Sequence, residues 1–158
     1  MDVPKVQKLG VFYKQIVGTD IDLNKFDDRM SLQKLGYFLQ KLGVINGFHF
    51  SWYIRGPYCS LLTNEAFSNE NLLHTENETT LKEGDVSVLK FLESHYKDIM
   101  KDPRSLELHM SLLYLIVDEK IRNDDEVVEK LTTLKPFFSE EDTREALSKL
   151  KATLNLPN

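Results

Sequence analysis

The sequence predicts a mainly α protein: a compact multi-helix domain with one or two short β-strands and a winged-helix-like first half. Three observations carry this. Apolar residues recur at helical spacing through most of the chain. Only 7 Gly and 5 Pro occur in 158 residues, too few for a loop-rich all-β protein. A single short stretch, His49–Arg55, alternates with a period of two, setting Phe50, Trp52 and Ile54 against Ser51, Tyr53 and Arg55. The length predicts one domain, 1–158, divisible into a winged-helix-like sub-lobe 1–68 and a helical sub-lobe 85–158 joined by the polar loop 69–84.

The elements follow in order. Residues 4–17 place Leu9, Phe12, Tyr13 and Ile16 on one face, and Gly18 ends the helix. Asp22 is expected to cap the next helix, 28–42, whose stripe is Leu32, Leu35, Leu39 and Leu42 and whose stop is Gly43. After the aromatic strand, Gly56-Pro57 is expected to break the chain before a helix at Cys59–Ser68. Residues 69–84 read as an exposed loop with a short strand at Thr79–Lys82. Asp85–Met100 reads as one helix and Ser105–Lys120 as the next. The latter is apolar round so much of its circumference that it belongs at the centre of the core. Asp125–Thr133 ends at Lys135-Pro136, because the residue before proline avoids the α region. Ser139, followed by three acids, caps a last helix buried through Ala146, Leu147, Leu150 and Leu154.

Apolar residues make up 41% and charged residues 28%, the composition of an ordinary globular protein. The formal charge of −5 is unevenly distributed. Residues 1–60 hold eight Lys/Arg against five Asp/Glu, a net +3, and the remainder carries −8. One cysteine, Cys59, excludes an intramolecular disulfide and a Cys-rich zinc site, and suits a reducing compartment. The N-terminus lacks the apolar stretch of a signal peptide, and the longest apolar run, Leu112–Val117, is far short of the about 20 residues that span a bilayer. The expected setting is cytoplasmic, without membrane contact, and the sequon at Asn77 is read as chance.

No catalytic motif stands out. His49, His74, His95 and His109 have no ligand spacing, so no metal is expected. A calcium loop opening at Asp20 would need Glu at its twelfth position, where Ser31 stands. Cys59 reads as a small buried residue at a helix start. Gly36, Gly43 and Gly47 do not form a phosphate loop, and no cofactor is implied. In the positive first third, Arg29, Gln33, Lys34, Gln40 and Lys41 lie off the leucine stripe. They form either a solvated helix face or, since Arg and Gln read base edges, a DNA contact.

A more specific pattern runs from Ser31 to Ser60. Ser31-Leu32-Gln33-Lys34-Leu35-Gly36-Tyr37-Phe38-Leu39-Gln40 is followed by Phe50-Ser51-Trp52-Tyr53-Ile54-Arg55-Gly56-Pro57-Tyr58-Cys59-Ser60. It resembles the uncharacterised YwgA-type proteins of bacteria and archaea, and more distantly the Panacea domain of SocA-like antitoxins and prophage proteins. Leu134–Glu141 with Ala146 is similar to the tail of archaeal members. The resemblance implies a helical domain of winged-helix character and roles in toxin neutralisation, gene regulation or phage biology, with no catalytic residues to carry over.

The polar members of the pattern form either an internal network or a partner-binding surface. The candidate contact residues are Arg29, Gln33, Lys34, Tyr37, Gln40, Lys41, Tyr53, Arg55 and Tyr58. Three functions are compatible: a non-enzymatic interaction or regulatory module of a prokaryote or its virus, antitoxin-like or adaptor, acting through a protein partner; a winged-helix DNA-binding regulator; and an enzyme, such as a nuclease, of unrecognised type. Oligomeric state is not legible in the sequence.

Overall fold

A computed structural model of the chain describes residues 3–74 and 81–157. Among them the order is α1 (Lys5–Val17), α2 (Phe26–Lys41), β1 (Ser51–Tyr53), β2 (Gly56–Tyr58), α3 (Ser60–Ser68), α4 (Glu70–Leu73), α5 (Glu83–His95), α6 (Lys97–Lys101), α7 (Pro103–Val117), α8 (Asp124–Leu134) and α9 (Glu140–Thr153). The fold is mainly α with one two-stranded antiparallel sheet. No helix among the described residues is long and apolar enough to cross a membrane.

α1 and α2 form where the leucine-rich stripes place them. Leu9, Phe12, Tyr13 and Ile16 of α1 are buried, and so are Leu32, Leu35 and Leu39 of α2. Gly18, at φ 96°, ends α1 with its N–H on Lys14 O. Gly43, at φ 84°, ends α2 in a Schellman turn: Val44 N–H donates to Leu39 O at 2.9 Å and Gly43 N–H to Gln40 O at 3.2 Å. The expected cap at Asp22 is not there. α2 starts at Phe26, and Asp22 instead closes a local turn, its Oδ1 accepting from Asn24 N–H while its own N–H donates to Asp28 Oδ2.

The strand region also differs from expectation. β1 covers only Ser51–Tyr53, and Gly56-Pro57, expected to break the strand, opens β2. The chain reverses at Ile54-Arg55, with Tyr53 opposite Gly56, Trp52 opposite Pro57 and Ser51 opposite Tyr58. Gly56, directly after this two-residue turn, takes the left-handed φ of 99° that favours glycine. Pro57 is tolerated because a two-stranded sheet consists only of edges.

The expected loop 69–84 contains the short helix α4, and α5 begins at Glu83. Of the short strand expected at Thr79–Lys82, Thr79 and Thr80 lie outside the described residues, and Leu81 and Lys82 are not extended in a sheet. The single helix expected over Asp85–Met100 is two. It breaks at Tyr96, φ −127°, whose ring is fully buried edge-on to Phe38, 5.1 Å between centroids. Burying that ring outweighs the helical hydrogen bonds lost there, and no Gly or Pro announces the break.

α7 is the central helix, buried at ten positions including Leu106, Met110, Leu112 and Leu113. Asp102 caps it, accepting from Arg104 N–H at 3.2 Å and from the Ser105 hydroxyl at 3.0 Å, with Pro103 at the first turn. Asn123 caps α8 and Ser139 caps α9, each through its side-chain oxygen. One apolar core takes residues from α1 and α2 as well as from α5 through α9.

Two glycines give opposite tests of this packing. A Cβ on Gly10 would lie 2.1 Å from the Leu73 backbone oxygen, whereas one on Gly84, in the first turn of α5, meets nothing within 4 Å. Gly10→Ala is expected to destabilise by about 3 kcal/mol, since α1 and α4 must separate. Gly84→Ala is expected to stabilise by about 0.5 kcal/mol through helix propensity. Denaturant unfolding of the two variants reads both signs.

Candidate functional site at the hairpin and its buried charges

Two three-residue strands make a marginal sheet by themselves, and here side chains of α2 hold them. Gln33 and Gln40, seven residues apart, face the same side of the helix and grip the backbone in the same way. The Gln33 amide accepts from Cys59 N–H and donates to Cys59 O, both at 2.8 Å, and also donates to Thr63 Oγ1. The Gln40 amide accepts from Phe48 N–H at 3.0 Å and donates to Phe48 O at 2.7 Å. Each glutamine thus pairs both backbone groups of one residue, as a neighbouring strand would.

Lys34 lies between them. It is 1% exposed, and its ammonium donates to Pro57 O at 2.8 Å. Lys135, equally sequestered, donates to Ile54 O and to Glu107 Oε2, both at 2.8 Å. The hairpin is therefore held through the carbonyls of Ile54 and Pro57 by lysines from two distant parts of the chain. Glu107, on α7, is 2% exposed, and its second oxygen lies 3.7 Å from the Arg55 guanidinium. Lys34, Lys135 and Arg55 thus gather round one carboxylate. Burial pushes the Lys34 ammonium down to about 7, opposed by Glu107 and assisted by Lys135 and Arg55. Gly56 allows this proximity: a Cβ there would lie 2.5 Å from Ser111 Oγ and 3.6 Å from Lys34 Cε.

Tyr37 and Lys41 meet on Asp118, just past the end of α7. The buried Tyr37 hydroxyl donates to Asp118 Oδ2, and Lys41 Nζ donates to Oδ1 at 2.8 Å. Burial raises the Tyr37 phenol far above its ordinary value, and the bond to Asp118 adds to that. The Tyr37 ring stands edge-on to Phe50, and Trp52 packs on Tyr114, so the inner face of β1 rests on an aromatic layer.

The outer face is different. Tyr53 is 57% exposed, its ring 5.2 Å from that of Tyr58, and Ile54 at the turn is 74% exposed. Phe26, Leu134 and Phe137 are also large apolar side chains about half exposed. Arg29 and Arg55 both lie over the Phe26 ring, at 5.9 and 5.3 Å, and Arg104 lies over Phe137 at 5.5 Å. Arg29 also donates to Leu23 O. A pocket of about 400 Å³ opens between the start of α2 and the hairpin, and a cleft of about 530 Å³ adjoins it across Met30, Ile54 and Arg55. The chain matches no family model, no curated protein and no solved structure.

The structure therefore brings Arg29, Gln33, Lys34, Tyr53, Arg55 and Tyr58 to one pocket and sends Tyr37 and Lys41 to Asp118. Gln40 belongs to the backbone grip on Phe48. A solvated-face reading fails for Gln33 and Lys34, which are buried. Sequence reasoning missed Phe26, Glu107, Lys135 and Phe137. Glu107 carried a signal, an acid within an otherwise apolar helix, and Lys135 carried none beyond its place before Pro136. His109 sits apart, its Nδ1 2.7 Å from Ser105 O and its basicity lowered by burial.

Two expectations follow. Glu107→Gln leaves Lys135 buried without its countercharge and is expected to cost about 3 kcal/mol in denaturant unfolding at pH 7. The Lys34 shift has its own signature. Between about 7 and 10.5 the unfolded chain retains a proton that the folded chain has released, so stability rises with pH across that window. Unfolding at pH 7, 8 and 9 is expected to show this slope in the wild type, and a reduced slope in Lys34→Met.

Proposed function

We propose that the protein is a non-enzymatic interaction module that meets a protein partner through the outer face of the hairpin. One observation carries the reading: Tyr53, Ile54, Phe26 and Phe137 are exposed round a hairpin that is held from beneath by Gln33, Lys34 and Lys135. Aromatic rings and guanidinium groups are the side chains enriched at protein interfaces. A hairpin held in place before the encounter loses little freedom on binding. The antitoxin-like or adaptor role implied by the YwgA-type and Panacea resemblance is a role of this kind.

The runner-up is a winged-helix DNA-binding regulator, favoured by the order α2, hairpin, α3 and by Arg29, Arg55 and Arg104 near the turn. Two features weigh against it. Lys34 is buried and Lys41 is paired with Asp118. The cleft beside Arg55 also carries Asp27 and Asp102, so a phosphate backbone extended across pocket and cleft meets acids as well as cations, which a single side chain seated in the pocket does not.

The test is co-expression of the tagged chain with the product of its adjacent gene. The wild type is expected to retain that product. Ile54→Asp and Phe137→Asp are expected to reduce retention at least tenfold, while Phe67→Asp, an exposed aromatic outside the pocket and cleft, leaves it unchanged. Retention indifferent to the hairpin variants, or a salt-sensitive shift of promoter DNA lost in Arg55→Glu, overturns the reading.

A further inference from the structure

We infer that the pocket between α2 and the hairpin receives an acidic side chain of the partner together with an adjoining aromatic or aliphatic one, the carboxylate meeting Lys34, Arg29 and Arg55. This rests on the hairpin face being the docking surface and names the chemistry it selects.

The argument is one of unbalanced charge. The pocket lining holds three cations, Arg29, Lys34 and Arg55, and no carboxylate. Asp27, Asp102 and Glu107 line the adjoining cleft instead, and Glu107 is already committed: Oε2 accepts from Lys135 at 2.8 Å and Oε1 stands 3.7 Å from Arg55. Lys34 is almost wholly removed from water, yet its ammonium, with three N–H groups, donates one hydrogen bond, to Pro57 O. Burial of a charge so lightly partnered is unfavourable, and a carboxylate arriving in the pocket supplies the missing acceptor.

The remaining lining sets what must accompany that carboxylate. Phe26, Met30, Ile54 and the two tyrosine rings are apolar surface, and about 400 Å³ accommodates an amino-acid side chain or two. A phosphate backbone offers no apolar group to this surface, whereas an acidic residue beside Phe or Leu offers both parts. Arg29 and Arg55 both lie over the Phe26 ring at the pocket, and a guanidinium can meet a planar carboxylate through two N–H groups.

Binding must then take up a proton on Lys34. Its ammonium sits near half-charged at neutral pH under the opposing influences of burial, Glu107, Lys135 and Arg55, and an added anion favours the charged form. Affinity rises as pH falls through 7, a direction that the partner's own carboxylate, ionised throughout, does not produce.

The experiment is an amide chemical-shift titration of the whole chain with N-acetyl-Phe-Glu-amide, using N-acetyl-Phe-Gln-amide and 3-phenylpropionate as comparison probes. The Glu probe is expected to shift the amides of Arg29, Gln33 and Tyr58, to bind at least tenfold more tightly than the Gln probe, and to weaken about fivefold from pH 6.5 to 8.5. The Lys34 side-chain carbon resonance is expected to move toward the ammonium form as the probe binds. Lys34→Met and Arg55→Gln should each abolish the preference for Glu over Gln. If Lys34→Met does not fold, the Arg29→Gln/Arg55→Gln double variant decides. Equal binding of the Glu and Gln probes, binding of 3-phenylpropionate alone, shifts elsewhere, or no binding overturns the inference. Partner retention separates its failure from that of the docking reading. Retention lost in Ile54→Asp but intact in Lys34→Met and Arg55→Gln removes the carboxylate pocket and leaves the docking face. Retention unaffected by Ile54→Asp removes both.

Discussion

A carboxylate and an ammonium buried to 2% exposure, Glu107 and Lys135, set the conditions that the rest of the hairpin region must meet. Desolvating the two ions costs several kcal/mol each, and their mutual attraction offsets this only if the remaining hydrogen-bonding positions are also filled. Lys135 fills one by donating to Ile54 O, and Glu107 engages Arg55 with its second oxygen. Both ends of the pair therefore reach the turn of the hairpin. The ions are satisfied together only when α7, the segment after α8 and the Ile54-Arg55 turn occupy one place. The ion pair thereby positions the tip of a sheet far too small to position itself.

α2 performs the same task from the other side with neutral groups. Because Gln33 and Gln40 each pair the N–H and C=O of a single residue, they tie down the two ends of the segment between Phe48 and Cys59, and the hairpin lies between them. An amide side chain can do this because it carries a donor and an acceptor at the spacing of a peptide group. The consequence for function is division of labour along one strand pair. Trp52 and Pro57 face the protein, and Tyr53 and Ile54 face outward on that hydrogen-bonded support.

The helices were legible because their signal is local. Leu9, Phe12 and Ile16 report a buried face from spacing alone, and Ser139 reports a helix start from its own chemistry. Tyr96 shows where that reasoning ends: the break between α5 and α6 comes from a ring drawn against Phe38, 58 residues away in sequence, and nothing nearby marks it. The site was legible by halves. Gln33, Lys34, Arg55 and Tyr58 stand out as polar groups in a patterned segment, but Cys59 O, Pro57 O, Glu107 and Lys135 are their partners only in three dimensions. Exposure is harder still to read. Ile54 alternates with polar residues exactly as Trp52 does, and only the reversal at Arg55 turns one outward and leaves the other half-buried.

The charge polarity of the chain must be reassessed in the same terms. Its first sixty residues carry +3, which would suit an anionic surface such as nucleic acid if those charges were displayed. Two of the cations are not. Lys8 is buried with Asp85, at 2.8 Å, and Lys34 is buried beneath the hairpin. Removing them leaves the segment at +1, little basis for attraction by field alone. The internal cations act instead at contact range. Lys8 is matched one-to-one by its carboxylate, whereas Lys34, Lys135 and Arg55 share a single Glu107. That unmatched excess lies against an apolar pocket rather than on an open surface, so it selects an anion that arrives with an apolar body and discriminates against one that arrives fully hydrated.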